Sequence, residues 1–366
     1  MSLSSFIYDL DLLQLTELLT SWQEPDYRAR QIWEGLYRSL WRTPAQFTNL
    51  PQSLRRRLAE TFTQAGDETA SFSQLLPSVV LDSSDGETRK TLFHLADGRS
   101  VEAVLMRYNR RRTLCISSQS GCAMGCSFCA TGQMGFGRHL TSGEILEQVL
   151  YYARLLSATS KTVTNVVVMG MGEPFHNYEA TLAAIDRLNH AQGFNLGARR
   201  FTISTVGLVK AIRRFTAEKR QVNLAVSLHA ADDSLRSKLL PINKKYPLDE
   251  LMAACREYVK HTRRRLTFEW ALVEGVNDIL EQAQKLAALL QPLRAGGAAL
   301  CHVNAIPLNP TKKFSGKAAT HQRAQAFCEE LERHGIPCTL RLRRGIDIQA
   351  GCGQLAGGES IGDKTA

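Results

Sequence analysis

Long apolar runs are missing from this 366-residue chain. None approaches the ~20 residues that a membrane-spanning helix needs, which argues against an integral membrane protein of that kind. Met1 to Asp9 lack the basic-then-apolar order of a secretory leader, so a cytoplasmic protein is expected. No segment repeats at a fixed period and none is of low complexity, so a repeat architecture is not indicated. Negative charge is also in short supply. Asp and Glu number 35 against 45 Lys and Arg, a formal net charge of +10. The surplus is clustered at Arg55-Arg56-Arg57, Arg107 with Arg110-Arg111-Arg112, Arg199-Arg200, Arg263-Arg264-Arg265 and Arg341 with Arg343-Arg344. On charge alone, a polyanionic partner and a plainly solvated basic surface explain these clusters equally well. What is present in quantity is apolar material, 44% of residues, enough for one large domain and a smaller one. Nine cysteines in a chain with no secretory signal point to metal or redox chemistry, not to a disulfide scaffold.

Three of those cysteines fall within eight residues. Gly121-Cys122-Ala123-Met124-Gly125-Cys126-Ser127-Phe128-Cys129-Ala130-Thr131-Gly132 reads C-x3-C-x2-C. A structural zinc site wants four ligands, and no Cys or His follows at ribbon or finger spacing. Iron–sulfur clusters are held by thiolates, and three thiolates on a four-iron cluster leave one iron open. The loop resembles the signature of the radical S-adenosyl-L-methionine (SAM) enzymes, where the open iron takes the amino and carboxylate groups of SAM. Chance crowding or a zinc loop is the plain alternative.

Residues 1–65 read as short helices. Leu10, Leu12, Leu13, Leu15, Leu18 and Leu19 recur at helical spacing, and Ile32, Trp33, Leu36 and Tyr37 mark a second piece. Pro44 and Pro51 punctuate the rest. The aromatics here are expected in a core. Residues 66–106 form a β-hairpin extension, with strands Thr91–Leu95 and Val101–Met106 about the turn Ala96-Asp97-Gly98-Arg99. Glu102 is the one carboxylate in the second strand. An exposed edge position is its ordinary explanation; burial would raise its pKa and suit it to proton transfer.

From 107 to 343 strands alternate with helices. Strands are expected at Thr113–Ser117, Asn165–Met169, Phe201–Thr205, Val222–Leu228, Leu266–Leu272 and Ala299–Ile306, with a last one at Cys338–Leu342. Helices are expected at Ser142–Leu156, Tyr178–Asn189, Leu248–His261, Glu281–Leu290 and Thr320–His334. Repeated βα units imply a parallel sheet, and six of them a partial TIM-like (βα)6 barrel with chemistry at the carboxyl ends of its strands. Residues 344–366 are a loop and a Gly-rich polar tail, expected to fray beyond Leu355.

Unusual residues follow the strands. Gly170-Met171-Gly172-Glu173-Pro174 offers close backbone approach and a carboxylate. Ser204 and the run Ser227-Leu228-His229 end two more strands, and Asn309 opens an Asn-Pro step. Each has a bland reading as a cap or turn. Cys352 stands between glycines in a segment without strong pattern, the context of a reactive thiol. Cys115, just ahead of the cysteine loop, is the candidate redox partner. Cys255, Cys301, Cys328 and Cys338 sit in apolar contexts and read as core.

The ordered set Thr113-Leu114-Cys115-Ile116-Ser117-Ser118-Gln119, the cysteine loop, Gly170–Pro174, Ser227-Leu228-His229, Asn309-Pro310 and Ala350-Gly351-Cys352-Gly353-Gln354-Leu355 resembles the radical-SAM adenosine-C2 RNA methyltransferases. The likeness covers roughly residues 90 to 357, and the N-terminal helices resemble that family's accessory domain. Gln349-Ala350-Gly351 departs from the family's usual Asp-Ala-Ala run. The resemblance implies one [4Fe-4S] cluster on Cys122, Cys126 and Cys129. It implies SAM binding at Gly172, Glu173, Ser204, Ser227, Leu228, His229 and Asn309, with two SAM used per turnover. The substrates would be 23S rRNA and tRNA, the electron donor a flavodoxin or reductase system, and the enzyme a monomer. By the same likeness, Cys352 takes a methyl group from one SAM. A radical made from the second SAM removes hydrogen from that S-methyl group, and the methylene radical adds to carbon 2. Glu102 accepts the ring proton, and Cys115 frees the product through a transient disulfide with Cys352. Carbon 2 of adenine is electron-poor and cannot simply displace sulfur from a methyl group, so a radical route is chemically apt. The sister activity at carbon 8 shares these motifs. A non-catalytic RNA-binding protein with a structural metal loop would also be basic and cysteine-bearing, and a radical SAM enzyme of a small molecule would share the cysteine loop.

Overall fold

A computed structural model describes residues 6–295 and 298–357. Part of the expected polar tail, residues 358–366, lies outside them. The chain opens with three helices, α1 (Leu12–Ser21), α2 (Tyr27–Tyr37) and α3 (Gln52–Phe62). Asp11 caps α1 by accepting from the Gln14 N–H, while the Gln14 side chain accepts from the Asp11 N–H in return. Ile32, Trp33, Leu36, Tyr37 and Phe47 are buried, as the leucine and aromatic spacing requires.

Next come β1 (Leu76–Asp82), β2 (Thr88–His94), β3 (Ser100–Arg107) and β4 (Arg112–Ile116), paired antiparallel in that order. The turn after β2 is the expected one: Leu95 N–H donates to Arg99 C=O, and Gly98 takes a φ of +79°. A small ribbon, β5 (Gln119–Gly121) and β6 (Phe136–His139), brackets the cysteine loop and the short α4 (Ala130–Met134). The alternation then runs α5 (Ser142–Ser157), β7 (Asn165–Val168), α6 (Tyr178–Asn189), β8 (Phe201–Thr205), α7 (Val209–Ala217), β9 (Asn223–Ser227), α8 (Asp233–Leu239), α9 (Leu248–Thr262), β10 (Leu266–Leu272) and α10 (Leu280–Leu290). A two-residue ribbon, β11 (Arg294–Ala295) and β12 (Ala298–Ala299), precedes β13 (Cys301–Pro307), α11 (His321–Arg333) and β14 (Cys338–Leu340).

One ten-stranded sheet holds β1-β2-β3-β4-β7-β8-β9-β10-β13-β14 in that order. From β4 to β14 every pairing is parallel, so the last strand adds a seventh to the six βα strands. The hairpin strands are not a separate layer; β3 pairs directly with β4 and continues the barrel sheet. The sheet is curled, because Thr113 of β4, Thr267 of β10, Asn304 of β13 and Arg341 after β14 all border one cavity. Inward positions of the helices and the outer face of the strands fuse into an apolar core running from Phe6 to Leu355, while the inner face of the strands lines the cavity.

The N-terminal helices dock on α5 and α6. Asp9 accepts from the Gly143 N–H (2.7 Å) and the Ser142 hydroxyl (3.0 Å), satisfying backbone at the start of α5. Trp33 packs edge-on against His190. Between these helices and the sheet lies Glu147, fully buried on α5, which accepts from the N–H groups of Gln74 and Leu75. Burial raises its carboxyl to about 7.

A raised carboxyl favours the folded state most where it is protonated in both states. Its contribution is full below about pH 4.5 and is lost as the pH climbs through about 7. Glu147→Gln cannot ionise. Its stability is therefore expected to gain on the parent's between those pH values and to hold a constant lead above them, by a few kcal/mol at most. A difference that does not change with pH in calorimetry sinks this assignment.

Candidate active site

The cysteine loop is shaped by glycines. Gly121 has a φ of +74°, and a Cβ there would stand 2.1 Å from the Gly135 carbonyl oxygen. A Cβ on Gly132 would press on the Cys126 backbone at 3.0 Å. Cys122 N–H donates to Gly135 C=O, and Ser127 N–H donates to Leu239 C=O. Cys122 and Cys126 are buried and Cys129 is half-buried, all three as free thiols. Burial, then the charge of the neighbouring cysteines, push the Cys126 thiol well up; Arg236 pulls the other way.

Does this trio fit a four-iron cluster? Among the described residues, no group of three or more His, Cys, Asp or Glu converges to hold a single ion. The donors at the loop are thiols alone, close enough to feel one another's charge. A lone zinc ion would lack its fourth ligand. An iron–sulfide cubane, which is larger than one ion and favours thiolates, suits such a set.

Beside the loop gather the other strand-end residues. Gly172 has a φ of +103°, and a Cβ would meet the Gln119 Cβ at 2.6 Å, so only glycine lets the turn pass. The next residue, Glu173, is buried and bridges two loops: Phe175 N–H donates to one carboxylate oxygen (3.0 Å) and Val206 N–H to the other (2.9 Å). Burial nonetheless raises its carboxyl to about 7. The hydroxyls of Ser204 and Ser227 lie 3.3 Å apart on adjacent strands. His229, in the left-handed region at φ +59°, accepts the Ala271 N–H on Nδ1 at 2.9 Å. Burial lowers its pKa to about 3. The ring is therefore neutral with its proton on Nε2, and it stands edge-on to Phe128 of the cysteine loop at 4.9 Å. Leu228 is fully buried, and its carbonyl accepts from Arg236.

Nothing in the sequence pattern singles out Arg236. Fully buried, it donates to Leu228 C=O, Val206 C=O and Asn243 Oδ1, fastening the ends of β8 and β9. Its only advance signal is Asp232 at the start of α8, an ordinary N-cap pattern.

The second centre is a cavity of about 350 Å³ inside the curled sheet. Cys115, Cys129, Asn309 and Cys352 all line it, as do Glu269 and Asn304. Cys352 opens into it, and protein crowded around the thiol pushes its pKa up to about 11. Cys115 is raised further by burial, then by Cys352 itself. The loop that carries Cys352 is stitched down on both sides. Ala130 N–H donates to Gly353 C=O (2.7 Å), Thr131 hydroxyl to Leu355 C=O (2.7 Å), and Asn309 Nδ2 to Cys352 C=O (3.1 Å). A Cβ on Gly351 would meet Asn309 Nδ2 at 2.6 Å, so glycine there permits the close approach.

Glu102 is not at an exposed edge. It is fully buried, 2.9 Å from the buried Lys90 ammonium, and its other oxygen accepts from Ala356 N–H (2.7 Å) and Gly357 N–H (3.2 Å). It is not among the residues that line the cavity. Two basic clusters distant in sequence do meet at the cavity mouth. Arg111 and Arg344 sandwich the Tyr108 ring, each 4.5 Å from its centre, beside Arg341 and Arg343. Arg199 and Arg264 lie elsewhere, sharing Gln221.

This arrangement has known counterparts. The model of the radical SAM superfamily matches residues 116–290, and that of the ribosomal RNA large subunit methyltransferase N-terminal domain matches residues 7–63. A probable dual-specificity RNA methyltransferase RlmN of Chloroflexus aurantiacus is 49% identical over 97% of this chain and 93% of its own. The chain belongs to the RlmN family of radical SAM methyltransferases. Dual-specificity RNA methyltransferase RlmN 1 of Myxococcus xanthus is 48% identical over 96% of this chain and 94% of its own. A crystal structure of a radical SAM methyltransferase from Sphaerobacter thermophilus superposes with a TM-score of 0.89 at 49% identity, covering 96% of this chain and 99% of that one. An RlmN-family chain accordingly uses SAM and a [4Fe-4S] cluster. No described helix is long and apolar enough to cross a membrane.

After anaerobic reconstitution with iron and sulfide, Cys122→Ala, Cys126→Ala and Cys129→Ala are each expected to lose the visible cluster absorbance, while Cys301→Ala keeps it. A loop-cysteine variant that retains full absorbance removes that residue from the ligand set.

Proposed function

We propose that this protein methylates carbon 2 of a specific adenosine in 23S rRNA and in tRNA, through an S-methylcysteine formed on Cys352. The observation that carries the reading is one cavity bordered by Cys115, Cys352, Asn309 and the last cysteine of the C-x3-C-x2-C loop. A structural metal loop on an RNA-binding protein has no need of two further thiols facing that space.

Cys122, Cys126 and Cys129 would hold the cluster. Gly172, Glu173, Ser204, Ser227, Leu228, His229 and Asn309 would hold SAM, with Glu173 facing its ammonium and the neutral His229 able to donate from Nε2. When bound, cluster and SAM supply a carbon-centred radical, with electrons from a flavodoxin-type donor, and two SAM are used per turnover. The chain's residues do the rest. Cys352 loses its proton and its thiolate takes the methyl group of one SAM in an ordinary displacement, S-adenosylhomocysteine leaving. Its raised pKa means that this step quickens with rising pH. The cavity keeps the S-methyl group and the base together and excludes bulk water. Glu102 accepts the ring proton. Its carboxylate is held by Lys90 and the backbone of Ala356 and Gly357, so this role requires the C-terminal loop to release it. Once the adduct has returned one electron to the donor system, the Cys115 thiolate attacks the Cys352 sulfur; the carbon–sulfur bond breaks with its electron pair on carbon, which takes a proton to become the methyl group of the product, and the Cys115–Cys352 disulfide forms.

Cys352→Ala is expected to abolish RNA methylation. Cys115→Ala is expected to leave RNA covalently attached to the protein, visible as a slow band on a denaturing gel and absent from the double variant. The reaction itself is tested with reconstituted protein, SAM, reductant and unmodified ribosomal RNA, followed by nucleoside mass spectrometry. 2-Methyladenosine is the expected product. 8-Methyladenosine moves the protein to the sister activity, and 5′-deoxyadenosine without methylated RNA refutes the substrate.

A further inference from the structure

The cavity wall holds a pair of residues that the proposed chemistry does not use. Glu269 on β10 and Asn304 on β13 are register partners, as Glu269 and Ser227 are on the other side. Both side chains are more than nine-tenths buried, and both line the cavity that holds Cys352. Asn304 Nδ2 donates to Glu269 Oε1 at 2.8 Å, which fixes the amide with its oxygen as the remaining group. That oxygen, Asn304 Oδ1, is buried with no hydrogen-bond partner. Asn309 repeats the pattern: its Nδ2 is committed to Cys352 C=O, and its Oδ1 is buried and unpartnered.

Buried polar atoms are nearly always satisfied, and each exception costs of order 1–3 kcal/mol. Two unsatisfied amide oxygens and a carboxyl make this wall of the cavity a hydrogen-bond acceptor, in contrast to the arginines at its mouth. The ligand that completes it brings N–H groups. Adenine has one such group on its ring edge, the exocyclic amine. Guanine presents a carbonyl at that position and carries its N–H groups on nitrogen 1 and the 2-amine instead, so it meets this wall only if it turns a different edge to it.

We infer that Glu269 and Asn304 form the subsite that reads the exocyclic amine of the target adenine beside Cys352. The inference rests on the proposed methylation of adenosine and adds what selects the base and the carbon. Cys352 and Glu269 line the same cavity. Carbon 2 is separated from the amine-bearing carbon by one ring nitrogen, whereas carbon 8 lies on the far ring. A base anchored by its amine with its nitrogen-1 side towards Cys352 offers carbon 2 to the sulfur's methyl group and turns carbon 8 away. The mouth agrees with an RNA guest: Arg111, Arg341, Arg343 and Arg344 border the same cavity, where phosphates would arrive. SAM also carries an adenine amine, and the test separates the two.

The experiment compares RNA bearing the target adenosine with RNA bearing purine riboside there, which lacks only the amine. The wild-type enzyme is expected to prefer adenosine by about 10- to 100-fold in kcat/KM. Glu269→Ala and Asn304→Ala are expected to reduce that preference to within about threefold, through loss on the adenosine substrate. Glu269→Gln keeps the volume and reports if the alanine variant does not fold. Methylation of Cys352, read by protein mass, checks the cofactor end. A wild-type enzyme indifferent to the amine overturns the inference, as do variants that keep the full preference. Variants that keep it while binding SAM more weakly assign the pair to the cofactor and overturn it equally. Failure of the wild-type enzyme to form 2-methyladenosine on the parent RNA refutes the underlying reaction instead, and this inference with it.

Discussion

The bond from the Ala130 N–H to the Gly353 carbonyl is short, and the site depends on it. It fastens the segment carrying Cys352 to the residue that follows Cys129. Thr131, Asn309 and Glu102 add fastenings to Leu355, Cys352, Ala356 and Gly357. Without them the C-terminal segment would be a loop of glycines and polar residues with little apolar surface to hold it. With them a thiol distant in sequence shares a cavity with Cys115 and the cluster loop. The glycines follow from the same constraint, since Gly351 yields to Asn309 and Gly121 to the Gly135 carbonyl.

Much of the barrel was legible in the chain because buried parallel strands are short β-branched runs and their covering helices keep a 3.6 period. Phe201–Thr205, Leu266–Leu272 and Tyr178–Asn189 match the expected bounds to the residue. The misses have a common cause. α7 keeps an apolar stripe, Val209, Ile212 and Phe215, but is only nine residues long, and α8 is seven residues rich in Asp, Arg and Lys; β1 is a largely exposed edge strand, and β5 and β6 are very short. The cysteine loop was legible because its spacing is local. Glu269 and Asn304 were not, because their partnership exists only in the register between β10 and β13. Glu102 shows the same limit from the other side. Its strand pattern favours an exposed edge position, and only the approach of Lys90 and of residues 356 and 357 buries it.

Charge behaved likewise. Five arginine clusters look alike in sequence, but the fold gives them different settings. The Arg110–Arg112 and Arg341–Arg344 clusters are brought to the cavity mouth, with Tyr108 held between Arg111 and Arg344. Arg264 is occupied with Gln221 and Asn223, and Arg55 faces Glu68. Composition reports the total; topology decides which part of it meets a ligand.

The pairing of Thr131 with Leu355 spans 224 residues. Such a contact closes a very long loop, and it can form only after the parallel strands between have assembled. On the ribosome, the cysteine loop emerges more than two hundred residues before Cys352. A chain halted between the two would hold that loop without the part of the cavity wall that Cys352, Gly353 and Leu355 add. The order of synthesis thus brings this thiol in only after the strands that enclose it have been made.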